Sequence, residues 1–346
     1  MDKNKKFEEL AIKFEGIEKN KKQGDKPTLF WVKDITDPQY QLISRLIIKL
    51  SDKLLTKDTK EKIFTILQLC LEMNRESVLP ELKSSKQFPN HLVNFIIEND
   101  NDKYKKKLLY IFAFTFDLQV YQPLINEKLI AAIFNTVKSL DDEEIFERVI
   151  YILIDINSIY TSNDDNKFLD VYHINENNRV LDEVLLRILN NEEDKERLLK
   201  ILLCFNNIMD KEKRNVFYSK DLETFIDIVL LKLETTYTDG VKLFLLEALK
   251  RVTYYNDLYK EMYKVKALTD LVEDFSSNDE QSEAVKKISK KILSNIQRNL
   301  AKKLKAECGV HVEDEGEEEE DEEGEDEEGE EEEDEAEEGE NEHDKQ

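Results

Sequence analysis

Residues 214–260, RNVFYSKDLETFIDIVLLKLETTYTDGVKLFLLEALKRVTYYNDLYK, decide the fold class. Apolar residues recur at three- and four-residue spacing from Leu222 to Leu233 and again from Val241 to Val252, the period of an amphipathic α-helix. Between the two runs, Thr238-Asp239-Gly240 reads as a turn. The stretch predicts a helical hairpin with a stop signal.

The same pattern extends in both directions. All five prolines precede residue 124, and from there to Cys308 the only glycine is Gly240, so the main helix breakers are missing over a long span. The spacing predicts a first helix over 3–22, a loop holding Trp31, and a helix after Pro38 with Leu42, Ile43, Leu46, Ile47 and Leu50 facing inward. Asp58 and Glu61, at capping-box spacing, open a helix carrying Ile63, Phe64, Leu67 and Leu71. Tyr104 to Val120 is apolar around most of its circumference and reads as one helix buried in the core. Further helices are expected near 125–139, 142–162, 177–190, 193–209, 220–236, 241–255, 258–274 and 279–305.

Pairs of these helices recur about every 35 to 45 residues, a helical-repeat period. An all-α, armadillo- or HEAT-like α-solenoid follows, each unit burying its apolar face on the next; a compact irregular bundle is the alternative. The expected organisation is an N-terminal helix and connecting loop over 1–36, packed on the solenoid. An armadillo-like helical domain follows over 37–306, and then a disordered acidic tail over 307–346.

Charge is distributed unevenly. The chain carries a net −26, but Glu313 to Gln346 holds 25 acidic residues and one lysine, so the preceding 312 residues carry only −2. A nearly neutral body does not attract nucleic acid as a whole. The tail has no aromatic residue and almost nothing apolar, so burial cannot offset its ordering entropy. The last helix, from Val285, sets Val285, Ile288, Ile292, Ile296, Leu300 and Leu304 inward. Its outer face carries Lys286, Lys287, Lys290, Lys291, Arg298, Lys302, Lys303 and Lys305. That face reads either as a solvated lysine surface or as a site for an acidic partner or the protein's own tail.

Little in the chain suggests chemistry. Cys70 and Cys204 sit in apolar helical runs, as small buried residues of a reducing compartment, and Cys308 leaves the count odd. The four histidines lie in unrelated contexts, no spacing suits a metal, and no glycine-rich loop follows a strand. The expectation is a protein that is not an enzyme and uses no cofactor or metal. No apolar run approaches the roughly 20 residues of a bilayer span, and the N-terminus lacks a secretory apolar region, so a soluble intracellular protein is expected.

The hairpin also carries a family resemblance. Phe217-Tyr218-Ser219-Lys220-Asp221-Leu222, continuing through Phe225-Ile226-Asp227-Ile228, Leu231 and Leu233 to Tyr254-Tyr255-Asn256 and Tyr259-Lys260, resembles the core of the WISH/DIP/Ldb family. Its members include the fungal Dip and Ldb proteins and an animal protein that binds Nck and diaphanous formins. The match runs from about Leu202 to Phe275. The resemblance implies an armadillo-like, leucine-rich adaptor domain that activates the actin-related protein 2/3 complex (the Arp complex) to seed unbranched actin filaments without a preformed filament. It also implies actin or formins as further partners and a cytoplasmic place at cortical actin structures, with a link to endocytosis. The sequence departs from the animal relatives in lacking an N-terminal SH3 module and a PxxP segment, so SH3-mediated recruitment is not expected from the resemblance.

By analogy with the groove-lining helix of an armadillo unit, Lys220, Asp227 and Lys232 are candidates to face a protein partner, with Phe225, Ile226, Ile228, Val229 and Leu233 as core. Tyr254, Tyr255 and Tyr259 suit either packing or an interface, since each pairs an apolar ring with a hydroxyl. The other function class that the composition admits is an acidic-tailed helical-repeat chaperone cofactor or histone-binding scaffold.

Overall fold

The computed structural model describes residues 42–52, 54–160, 163, 165–174, 178–212, 219–235, 238–255 and 263–308. The expected helix over 3–22, the Trp31 loop and the acidic tail from residue 309 lie outside these residues, while Glu307, expected in the tail, is the last residue of a helix. Among the described residues the regular structure is all helical. The elements are α1 (Leu42–Leu50), α2 (Lys57–Met73), α3 (Arg75–Ser84), α4 (Phe88–Glu98), α5 (Asp102–Thr115), α6 (Leu118–Tyr121) with a 3-10 turn (Gln122–Leu124), α7 (Glu127–Val137) and α8 (Glu143–Asn157). They continue as α9 (Lys167–Ile174), α10 (Asn178–Asn191), α11 (Lys195–Glu212), α12 (Ser219–Glu234), α13 (Asp239–Tyr255), α14 (Val265–Ser277) and α15 (Glu283–Glu307).

Short polar side chains start these helices. The Asn101, Asn126, Asp142 and Asp194 side chains each accept a backbone N–H from the first turn of α5, α7, α8 and α11, at 2.9–3.1 Å. Each satisfies a donor that a helix N-terminus leaves without a partner. One boundary differs from the expected capping box. Thr56, not Asp58, caps α2, its Oγ1 accepting from the Thr59 N–H at 3.3 Å. A threonine is the better cap, and Asp58 falls inside the first turn, where its charge suits the helix dipole.

The helices stack as a solenoid. One row runs the length of the molecule: α2 packs on α5, α5 on α8, α8 on α11, α11 on α13 and α13 on α15. These row helices begin between 41 and 52 residues apart, slightly longer than the period expected from sequence. From α2 to α11 every third helix belongs to the row. The row is riveted by polar contacts between residues about one repeat apart. Lys107 Nζ donates to Thr65 Oγ1 (3.3 Å), Lys200 Nζ to Asp155 Oδ1 (3.0 Å), Asn207 Nδ2 to Asn157 Oδ1 (3.3 Å) and Asn299 Nδ2 to the Thr253 carbonyl (2.8 Å). Beneath them lies a continuous apolar core that includes Phe64, Phe112, Phe134, Phe168, Phe205 and Phe225. Each such buried side chain contributes about 1.5–3 kcal/mol, so the core rather than the rivets supplies most of the stability.

Several expectations are corrected. The run Tyr104 to Val120 is two helices. Phe116 leaves helical geometry at φ −55°, ψ 131°, and Asp117 offers its carboxylate to the Gln119 N–H at 3.1 Å, restarting the chain as α6. The break is sealed by a buried hydroxyl pair, Thr115 with Tyr121, at 2.9 Å. Helix α9, absent from the sequence reading, is started by Asn166, whose Oδ1 accepts from the Phe168 and Leu169 N–H groups. Gly240 lies inside the first turn of α13 rather than in a turn of its own. Lys264 is the left-handed residue instead, at φ 47°, just before α14. Helix α14 begins at Val265, later than the expected 258. Leu304, assigned to the inner stripe of the last helix, is 62% exposed.

Candidate binding face along the helix row

Where α5, α8 and α11 lie side by side they enclose an open cleft of about 570 Å³. Its floor includes Ala113, Phe116 and Ile152, and its walls carry Glu144, Glu147, Arg148, Tyr151 and Asp155 from α8 with Arg197 and Lys200 from α11. The charged walls are ordered by one another. Glu144 Oε1 meets Arg148 Nε at 3.1 Å and Arg75 Nη1 at 3.4 Å, and both guanidinium groups lie over the Phe114 ring, 4.7 and 3.7 Å from its centroid. The ring draws cations to its face and holds the two arginines by their flat sides. Also on α8, Tyr151 donates to Glu192 Oε2 at 2.8 Å while Arg197 of α11 stands 5.3 Å from the Tyr151 ring centroid.

These contacts set the protonation states. Burial and the hydrogen bond to Glu192 push the Tyr151 hydroxyl up to about 12. Burial alone would depress Lys200, but the Asp155 hydrogen bond and charge, with Glu196, hold it above the ordinary lysine value. The walls therefore present fixed charges of both signs at neutral pH. The cleft's lining carries side chains of both signs and includes neither a thiol nor an imidazole. Among the described residues, no group of three His, Cys, Asp or Glu side chains stands close enough to hold a metal ion.

The sequence-derived candidates lie elsewhere. Lys232 is a correction: it is buried, and its Nζ donates to the Glu192 carbonyl at 3.1 Å, tying α12 to the end of α10. A side chain occupied in this way does not face a partner. Asp227 is half-buried beside a second, shallower cleft of about 410 Å³ between α10 and α12, lined also by Glu183, Arg187 and the exposed Leu231. Its carboxylate is engaged by Tyr263 and by Lys264 Nζ, the latter at 2.7 Å. Tyr254 is half-buried at the end of α13, with the Arg298 guanidinium 4.5 Å from its ring centroid, so it joins α13 to α15. Lys220 and Tyr255 belong to α12 and α13, their side chains lying outside the described residues, as does the whole of Tyr259. Of the six, the three described side chains, Asp227, Lys232 and Tyr254, do not line the α5–α8–α11 cleft. Glu144 with Arg148 and Glu196 with Lys200 are legible in sequence as i,i+4 pairs. The convergence of Glu144 with Arg75, 69 residues before it, is not.

Cys70 and Cys204 are both buried, as the sequence suggests. Burial pushes the Cys70 thiol up to about 12 and Cys204 higher still, and Cys308 is exposed. Among the described residues no helix is long and apolar enough to cross a membrane.

No protein-family model matches the chain, and no curated protein sequence does. Among solved structures it is similar to an engineered protein (13% identity, covering 74% of this chain and 97% of that one, TM-score 0.35). It is also similar to a designed armadillo repeat protein (12% identity, 73% and 99%, TM-score 0.34). A further designed armadillo repeat protein, solved in complex with the peptide (KR)4, gives 13% identity, 73% and 99%, and TM-score 0.34. At these TM-scores the solenoid rests on the chain's own helix contacts.

Proposed function

We propose that this chain is a non-enzymatic activator of the Arp complex, which it binds through the solenoid to seed linear actin filaments. The observation that carries this reading is the resemblance of Leu202–Phe275 to the WISH/DIP/Ldb core. Within that stretch α11, α12 and α13 form one packed unit, with Phe205 against Phe225 at 5.8 Å between ring centroids. Activation demands a binder that prefers the filament-like arrangement of the two actin-related subunits, since equal affinity for both states shifts nothing. A solenoid with an interlocked row of helices suits that demand, because it resists deforming to fit the inactive arrangement.

The purified full chain, mixed with Arp complex and actin monomers, is expected to shorten the polymerisation lag without added filaments and to yield unbranched products. Unchanged kinetics, with binding demonstrated in the same preparation, reject the reading. A second reading is favoured by the net −24 of Glu313–Gln346: a chaperone cofactor or histone-binding scaffold in which that segment takes basic clients. Deleting the segment then abolishes client binding, whereas Arp-complex activation survives the deletion.

A further inference from the structure

Helix α15 closes the row and is two-faced. Val285, Ser289, Ile292, Ile296 and Asn299 are buried toward α13 and α14, and Asn295 and Asn299 donate to the Lys250 and Thr253 carbonyls. On the side away from these contacts Lys287, Lys290 and Lys291 are exposed. At 100° per residue they fall within one arc, and Lys305 falls on the same line, about 27 Å along the axis from Lys287 at 1.5 Å per residue.

What marks this stripe is that several exposed lysines without a counter-charge stand together on one face of one helix. Lys106, Lys200 and Lys264 each have a carboxylate within 3.0 Å, and even Lys286 on α15 is paired with Glu283 and Asp279. No carboxylate among the described residues forms an ion pair with Lys287, Lys290, Lys291 or Lys305. The 312 residues before Glu313 carry a net −2 with these lysines included, so the stripe is a local positive surface on a nearly neutral body.

The chain carries its own complement. Six residues after the end of α15 begins Glu313–Gln346, with 25 acidic side chains. About 8 extended residues retrace the stripe, at roughly 3.3–3.6 Å each, so the segment is several times long enough to run back along it. Tethering at that distance amounts to a millimolar local concentration, and opposite charges attract over about 8 Å in physiological salt.

We infer that Glu313–Gln346 docks along the exposed lysine stripe of α15 and covers it, so that an external acidic partner reaches Lys287, Lys290 and Lys291 only by displacing the segment. The contact is electrostatic and sequence-tolerant, and it is independent of the Arp-complex reading. It makes the C-terminal end of the solenoid salt-sensitive and conditionally available.

The test is zero-length carbodiimide cross-linking of the dilute full chain, with an equal mixture of isotopically light and heavy protein to separate links within a chain from links between chains. Expected are same-isotope links from the acidic segment to Lys287, Lys290 and Lys291, severalfold over links to Lys266, an exposed lysine on neighbouring α14. These links fade as salt is raised. The variant K287E/K290E/K291E, whose side chains bear on no packing, loses them and gains hydrodynamic radius. Links spread over Lys266 as readily as over α15, links between isotopes, or an unchanged radius in the triple variant would each overturn the inference.

Discussion

The Tyr263 hydroxyl donates to both carboxylate oxygens of Asp227, each at 2.9 Å, and so ties α12 to the residue two before α14. Lys264 Nζ reaches the same carboxylate from the one described non-glycine residue with positive φ. A left-handed lysine is unfavourable because Cβ crowds the following carbonyl, and the Asp227 clamp compensates for it. Asp227→Ala is therefore expected to lower the urea midpoint. Lys264→Gly, which removes the crowding along with one exposed ion pair, should leave the midpoint unchanged or raise it. A lower midpoint for Lys264→Gly than for Asp227→Ala contradicts this assignment.

Arg251 locks α11 to α13. Its Nη2 donates to Asp210 Oδ2 at 2.7 Å, its Nε pairs with Asp210 Oδ1, and its Nη1 pairs with Glu247 and donates to the Glu247 carbonyl at 3.2 Å. Arg251→Ala strands two partly buried carboxylates, and a loss of about 1.5–3 kcal/mol in equilibrium unfolding is expected, as for hydrogen bonds to charged groups. Arg251→Lys should recover only part of this, since an ammonium cannot make the two-pronged contact.

Acid stability follows from the same cluster. Burial raises the Glu247 carboxyl, but the Arg251 and Lys250 charges and hydrogen bonds outweigh it and hold the group below the ordinary glutamate value. Its folded value is depressed, so the stability it contributes is present above the unfolded value of about 4.3 and is lost as pH falls through the folded one. Glu247→Gln is expected to be less stable at neutral pH and to show a shallower decline below pH of about 4.

At alkaline pH the sign reverses. The Tyr151 hydroxyl is pushed up to about 12 by burial and by its bond to Glu192. Its contribution is complete below the ordinary tyrosine value of about 10 and disappears as pH rises through the folded value. Tyr151→Phe should remove one late-titrating tyrosinate from the absorbance titration and flatten the alkaline loss of stability. An unchanged titration places the late proton on another tyrosine.

For the row-face cleft, Arg148→Glu with Arg197→Glu reverses two wall charges without touching the apolar core. If this face grips the Arp complex, the pair should weaken binding in sedimentation at least tenfold, about 1.4 kcal/mol. Far-ultraviolet circular dichroism should stay unaltered. Wild-type affinity in the double variant moves the contact to another face.

Much of this was legible in the chain. Apolar period, the scarcity of glycine and proline, and polar residues at helix starts identify an all-helical repeat, because each acts within one or two turns. The inner residues Phe225, Ile226, Ile228, Val229 and Leu233 are all buried as expected. The break after Thr115 and helix α9 escaped because a single Asp117 or Asn166 side chain outweighs the hydrophobic pattern around it.

Which polar side chains remain free was decided only by the tertiary structure. Nothing local distinguishes Lys232, buried on the Glu192 carbonyl, from Lys287, exposed on α15. Glu192, Tyr263 and Asp210, which hold Lys232, Asp227 and Arg251, lie 36 to 41 residues away from them in the chain. A helix fixes which of its own faces a residue occupies. The stacking of one repeat on the next determines which face is covered and which charge is met by an opposite one, and that register is carried by the whole core rather than by any segment.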